Sequence, residues 1–262
     1  MRRLPAALAL AAALLSPAVA FAQPPSVEPD RPDQTSRPTT VPRGAVQLEG
    51  GLEYERTRLA GPDDRAFHVA STLRIGLTDR LELRFEGEPF VRRQGDAEAS
   101  GLGDLTLSAR YRFLDAREDS ARPALAAQPY VKLPTADDPI GTERVDVGLT
   151  FIVGLDLPGG FGAAFNAGVA AIGQRDPDGF LAQALASAGL GRELVADTLG
   201  AYLEVLFESR DERDGRYRVG LGTGLGWKVA RRLVLDLGFE TTVAGRGPDY
   251  VIRSGLSVLL GR

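Results

Sequence analysis

The stretch that decides the fold is Gly76 to Phe90, GLTDRLELRFEGEPF. After Asp79-Arg80 it alternates without a slip: Leu81, Leu83 and Phe85 on one parity, Glu82, Arg84 and Glu86 on the other. A period of two puts the two sets on opposite faces of a β-strand. One face is apolar and the other carries charges of both signs. The remaining sequence has to say which face meets water.

The same alternation starts near Arg43 and persists to the C-terminus. It predicts twelve strands, at about 44–56, 65–77, 81–91, 102–114, 122–133, 144–155, 161–172, 179–190, 198–209, 216–229, 233–243 and 250–260. LAQALASAGLGREL is the one stretch that also fits a helix. Strands of soluble proteins average about 5–6 residues, whereas a tilted strand crossing a bilayer needs about 9–11. These strands have the second length. Their connections alternate in kind. One set is tight, as at Thr78-Asp79-Arg80, DLPGG and Ala230-Arg231-Arg232, with longer members expected near 115–121 and 191–197. The other set is polar and longer, as in VRRQGDAEAS, PTADDPIGTE and SRDERDG. Short turns on one rim and long loops on the other is the asymmetry of outer-membrane barrels, with the short turns periplasmic.

Parity sorts the charges. One face collects Leu48, Leu52, Phe67, Leu107, Phe151, Leu203, Leu225, Trp227, Leu237 and Ile252, with no charged residue among the strands. The other holds the candidates for a charged lumen: Glu82, Arg84, Glu86, Asp104, Arg110, Arg112, Lys132, Arg144, Asp146, Glu204, Arg218, Glu240 and Arg253. Glu49, Glu53, Arg74, Glu88, Lys228 and Asp236 share that parity. A soluble lipocalin-like barrel shows the same period with the faces reversed. Twelve strands, however, would give such a barrel a wide and poorly filled apolar interior. Mixed charges suit a wet lumen, where they pair with one another and with water. Aromatics also gather near strand ends: Tyr54, Phe67, Phe180, Phe207, Tyr217 and Tyr250 at the long-loop rim, Phe113, Phe161 and Trp227 at the other. Two girdles are what the bilayer interfaces select. The expected fold is therefore all-β, a transmembrane antiparallel up-and-down β-barrel in the outer membrane.

Upstream, MRRLPAALALAAALLSPAVAFAQPP has a charged start, an apolar run and Ala20-Phe21-Ala22, the layout of a Sec-type signal peptide cut after Ala22. Residues 23–42 are rich in Pro and poor in apolar side chains, the composition of an extended arm preceding a barrel at 43–262. Arg31 and Arg37 in that arm face an acidic lumen entrance at Glu49 and Glu53, which makes a folded-back lumen plug the hypothesis for residues 23–42. The 262 residues contain no Cys, and a net charge of −4 gives no footing for nucleic acid.

DRPDQTSRPTTVPRGAVQLEGGLEYE (residues 30–55) is similar to the opening of a bacterial outer-membrane family labelled "putative MetA-pathway of phenol degradation", or simply a transporter family. The matching elements are Asp30-Arg31-Pro32, Thr40-Val41-Pro42, Gly44 and Gln47-Leu48-Glu49 with Gly51. GLGDLTLSARYRF (101–113) and LTDRLELR (77–84) resemble it too. The resemblance implies an outer-membrane location, passage of small solutes, a lipid-bilayer environment, insertion by the barrel-assembly machinery, and neither cofactor nor catalytic residue. One departure is the ending SGLSVLLGR, where such barrels favour a terminal aromatic and this chain offers Leu260.

The remaining chemistry is sparse. His68 is the one histidine, and Ser71 falls on the opposite face, so no Ser–His pair assembles. One His and no Cys make a poor zinc site. GLGTGLG (220–226) lies along a strand, where its glycines leave room for an opposing element rather than cradle a phosphate. Three functions follow as expectations: a channel whose charged lumen filters small solutes; a structural or adhesive barrel whose lumen is closed by ion pairs; and, behind these, an outer-membrane hydrolase that would depend on His68.

Overall fold

In the computed structural model, residues 25–58, 63–95, 98–117 and 122–261 are described; the signal-peptide segment 1–22 lies outside them. Thirteen strands form one sheet: β1 (Val46–Thr57), β2 (Asp64–Thr78), β3 (Leu81–Gln94), β4 (Ala99–Gly101), β5 (Leu105–Leu114), β6 (Ala124–Leu133), β7 (Asp146–Leu157), β8 (Phe161–Gln174), β9 (Gly179–Val195), β10 (Leu199–Glu208), β11 (Arg218–Ala230), β12 (Leu233–Gly245) and β13 (Tyr250–Leu260). Each pairs antiparallel with its neighbour, and β1 closes on β13 from Val46↔Leu260 to Arg56↔Tyr250. Both β4 and β5 pair with β3, so they are two pieces of one barrel position. The barrel therefore has twelve staves. Closure leaves no unpaired edge for lipid to meet.

The stave formed by β4 and β5 breaks at Leu102–Asp104. The freed backbone groups are re-satisfied: Gly103 N–H donates to the Glu88 carbonyl (2.8 Å), Leu105 N–H to Thr135 Oγ1 (2.8 Å) and Ala136 N–H to Asp104 Oδ1 (2.9 Å). The β6–β7 loop is thereby laid across the break. Two sequence expectations change. The alanine-rich stretch is the body of β9, which runs on to Val195, so the connection expected at 191–197 shrinks to a tight turn. Arg144 precedes β7 rather than lying in a strand.

The outer surface is apolar in the usual way for a bilayer, with Leu203 65% and Trp227 51% exposed. Aromatic pairs stand near the long-loop rim: Tyr54–Tyr250, Phe67–Phe90, Phe207–Tyr217 and Phe239–Tyr250, with centroids 6.2–6.5 Å apart. Arg192, brought into the lengthened β9, lies over the Phe161 ring at 4.8 Å near the short-turn rim. A guanidinium stacked on an aromatic at that height fits the interface.

Candidate functional site

The inside of the barrel is occupied by the arm. It begins at the short-turn rim, where Val27 N–H donates to the Arg231 carbonyl (3.0 Å). It climbs to mid-lumen, crosses toward β9 and β10, and descends again. Thr40 Oγ1 then donates to the Asp79 carbonyl (2.8 Å) at the β2–β3 turn, back at the same rim. The arm is thus a loop inserted from the periplasmic mouth, with both legs on that side.

Asp30 sits at the top of the first leg. Its carboxylate meets Arg84 (2.5 Å), Arg110 (2.8 Å) and Arg74 (3.6 Å), one guanidinium from each of β3, β5 and β2. Those strands are neighbours: Arg74 is opposite Arg84, and Arg110 is opposite Glu82, one inward step nearer the short-turn rim, so the three guanidiniums converge on one carboxylate. Glu82 bridges Arg74 (3.0 Å) and Arg84 (3.1 Å), and accepts the Val41 N–H (2.7 Å). Glu49 holds Arg74 (2.8 Å) and accepts the Asp30 N–H (3.2 Å). Glu82 and Arg110 are each 0% exposed. A buried charge is costly unless paired. Arg74 has Glu49 and Glu82, and Arg84 has Glu82 and Glu86, but among the described residues the carboxylate that pairs with Arg110 is that of Asp30. Burial by itself would raise its carboxyl pKa, but Arg110, Arg74 and Arg84 outweigh burial and hold it well below the usual carboxylate range.

The opposite wall grips the crossing segment. Glu204 accepts the N–H groups of Gln34 (3.0 Å) and Thr35 (2.8 Å) and the Thr35 hydroxyl (2.7 Å). Arg31 reaches Glu53 (3.3 Å) and Asp236 (3.5 Å), and Arg37 reaches Asp156 (3.0 Å). Asp33 lies beside Glu204; burial, then repulsion from Glu204 and Asp30, push its carboxyl well above the usual range.

Inward glycines make the seat. A Cβ on Gly154 would come within 2.6 Å of the Pro38 ring, and one on Gly238 within 3.0 Å of Pro32. Gly51 and Gly76 would collide with Arg31 and with the Val41-Pro42 backbone. Arg31, Pro32, Pro38, Val41 and Pro42 of the arm thus rest where the wall has no side chain.

The other expected lumen residues divide into groups. Arg253 links Glu53 (3.2 Å) and Glu240 (2.7 Å), and Arg218 pairs with Glu240 and Glu208. Lys132 bridges Asp104 (3.3 Å) and Asp146 (2.7 Å), and Glu86 pairs with Arg84 (2.8 Å). Arg112 meets Asp115 (2.9 Å) at the short-turn rim and donates to the Asp79 carbonyl (2.7 Å), the acceptor that Thr40 of the arm also uses. Arg144 meets Asp178 (3.4 Å) in the loops, so it is a mouth residue and not a lumen-wall one. His68 Nδ1 is 2.8 Å from Glu88; its partner is a carboxylate and not a nucleophilic hydroxyl.

The arm divides the interior. Above it lies a chamber of about 590 Å³ bounded by Asp30–Gln34, the upper walls and the inturned β6–β7 loop at Ile140–Thr142. Below it lies a vestibule of about 530 Å³ bounded by Val27–Pro29, Arg37 and Thr39. The chamber lining carries Asp30, Asp33, Glu49, Glu53, Glu86, Glu88 and Asp104 against Arg31, Arg84, Lys132 and Arg253. Carboxylates are in surplus there.

Sequence reasoning missed Asp30 as a lumen group. No clear signal for it was present: Arg74, Arg84 and Arg110 share the inward parity on three consecutive barrel positions, but Glu49, Glu82 and Glu86 on that parity match them in number.

The family model described as "Putative MetA-pathway of phenol degradation" matches residues 29–260. No curated protein matches the sequence. Among solved structures, an outer membrane channel from Pseudomonas putida F1 is 19% identical, with 89% of this chain and 100% of that one covered and a TM-score of 0.66. The NanC porin is 7% identical, covering 81% and 98%, with a TM-score of 0.55. The β domain of the Bordetella autotransporter BrkA is 13% identical, covering 82% and 99%, with a TM-score of 0.52. At such identities the likeness is one of fold, that of the outer-membrane β-barrel.

Proposed function

This chain belongs to the family described as "Putative MetA-pathway of phenol degradation", and on that footing we propose that it is an outer-membrane channel for small solutes, closed at rest by its own N-terminal arm. The observation that carries the reading is the Asp30 lock. A single carboxylate on the arm meets three wall arginines at 2.5–3.6 Å. The family description points to aromatic or other hydrophobic solutes. The carboxylate surplus of the upper chamber supports a preference for neutral or cationic ones over anions. In this reading residues 1–22 are a signal peptide removed on Sec export, and the barrel-assembly machinery inserts the remainder.

Planar-bilayer conductance tests it. Deleting residues 23–42, or Asp30→Ala, opens a steady current that the full chain passes rarely. The competing reading is a non-transporting structural barrel. It is favoured by the number of bonds that hold the arm and by the ion pairs lining the walls. No current above background from either altered protein selects that reading and ends the channel proposal.

A further inference from the structure

The outward face of the barrel holds a feature that passage through the lumen does not use. In strand register, residues facing one another across an antiparallel pair point to the same side. Tyr54 and Ile252 are partners, and Ile252 is 43% exposed on the lipid side. Tyr54↔Phe67 and Phe67↔Arg92 extend that outward row to β3, so the Arg92 side chain faces outward. One row nearer the long-loop rim, Tyr250↔Arg56, Arg56↔Arg65 and Arg65↔Gln94 form the next outward row. Three arginines on three adjacent strands therefore point away from the lumen, within about two strand spacings of about 4.8 Å each.

Directly among and beneath them lie three of the aromatic pairs: Tyr54–Tyr250, Phe67–Phe90 and Phe239–Tyr250. An aromatic belt marks the headgroup level, so the guanidiniums stand where lipid phosphates are. The rim is the long-loop one, hence the outer leaflet. Elsewhere around this rim, among the described residues, Val147, Phe180, Phe207, Tyr217 and Val243 are exposed apolar or aromatic positions.

Asp63 sets the spacing. It accepts from Arg56 Nε (2.7 Å) and Nη2 (2.6 Å) and from Arg65 Nη2 (2.6 Å). Those hydrogen bonds hold its carboxyl well below the usual range. A guanidinium has five N–H donors, so Arg56 keeps three uncommitted by Asp63 and Arg65 keeps four. Arg92 is exposed and forms no ion pair with any described residue. One carboxylate against three cations leaves a positive patch of fork-shaped donors, the geometry that suits phosphate oxygens.

We propose that Arg56, Arg65 and Arg92 form a site for the phosphate of a phosphorylated glycolipid of the outer leaflet, the lipid A part of lipopolysaccharide, whose acyl chains lie along the Tyr54–Phe67–Phe90 belt. The test uses the full chain in detergent, with native mass spectrometry reading bound lipid. Bisphosphorylated lipid A, the same lipid dephosphorylated, and inorganic phosphate are the three probes. The wild type binds the bisphosphorylated lipid at least tenfold tighter than the dephosphorylated one. Arg56→Ala/Arg65→Ala/Arg92→Ala erases that preference, and Arg210→Ala in the β10–β11 loop leaves it intact. Arg92→Ala alone, which breaks no described ion pair, lowers it severalfold and covers the case in which the triple variant fails to fold. Equal binding of the two lipids by the wild type, or an undiminished preference in the arginine variants, overturns the proposal. Displacement of the lipid by inorganic phosphate at equimolar concentration also overturns it, because the site would then be a free-anion site.

Discussion

Asp30 shows how one side chain can be worth more than its own contacts. Removing one partner of a buried ion pair costs about 3–5 kcal/mol, because the other charge stays buried and unpaired. Here Arg110 would lose the carboxylate that pairs with it, while Arg74 and Arg84 keep Glu49, Glu82 and Glu86, so Asp30→Ala is expected to weaken arm docking by about that amount. The barrel's strand pairing should remain intact. A cysteine placed at Ser36 reports it: a water-soluble thiol reagent labels it slowly in the parent and at least tenfold faster with Asp30→Ala. The glycine seat gives an independent check. Gly154→Val puts a branched side chain where Pro38 rests, and overpacking of this sort costs about 1–3 kcal/mol. The same labelling assay should show a released arm, while heat-modifiable gel mobility stays that of a folded barrel.

At the scale of the strand, the controlling fact is which side faces lipid. Leu203, on β10, is 65% exposed on the apolar side. An arginine at the bilayer midplane of a barrel costs about 2–4 kcal/mol. Leu203→Arg should therefore lower the unfolding free energy in lipid vesicles by about that much. Strand existence and parity were legible from alternation alone, because a period of two is a local property. In Gly76–Phe90 the alternation runs as read from Leu81 to Gly87; a register slip between Val69 and Ser71 then turns Phe90 outward against its parity, beside Phe67. Strand ends were less legible. β9 runs past Gly191 because Gly and Arg192 carry no local stop signal, and Arg192 is stabilised by Phe161, a residue three tens away in sequence. Arg144 was read into β7 by parity, yet it belongs to a loop tied to Asp178. The arm was legible as a candidate plug from its two arginines, but its pairing was not. Arg37 meets Asp156 rather than Glu49 or Glu53, and the main lock is an aspartate. Such partners are set by which strands the closed barrel brings together, and no window of sequence holds that information.

For the molecule as a whole, closure is linked to pH through two arm carboxyls that move in opposite directions. Asp30 is held below its ordinary range when docked, so its contribution to closure is present above that range and is lost as pH falls through it. Asp33 is raised when docked, so its contribution is present in acid and is lost as pH rises through the raised value. Closure should be tightest in the window around the ordinary carboxylate range, where both contributions are whole; it loosens toward acid as Asp30 protonates, and toward alkali until the raised Asp33 value is passed. Conductance recorded across pH should pass through a minimum in that window, and Asp33→Asn should remove the rise on the alkaline side only. One feature of the path carries a mechanical consequence. The arm's two legs leave by the same mouth, and its second leg continues covalently into β1 through Gly44 and Ala45. A push from the cell exterior drives the loop along the route by which it went in, whereas a push from the periplasm wedges it against the crossing held by Glu204. The barrel is then a check valve: vesicles with a uniform orientation should admit solute faster in the inward direction than they release it.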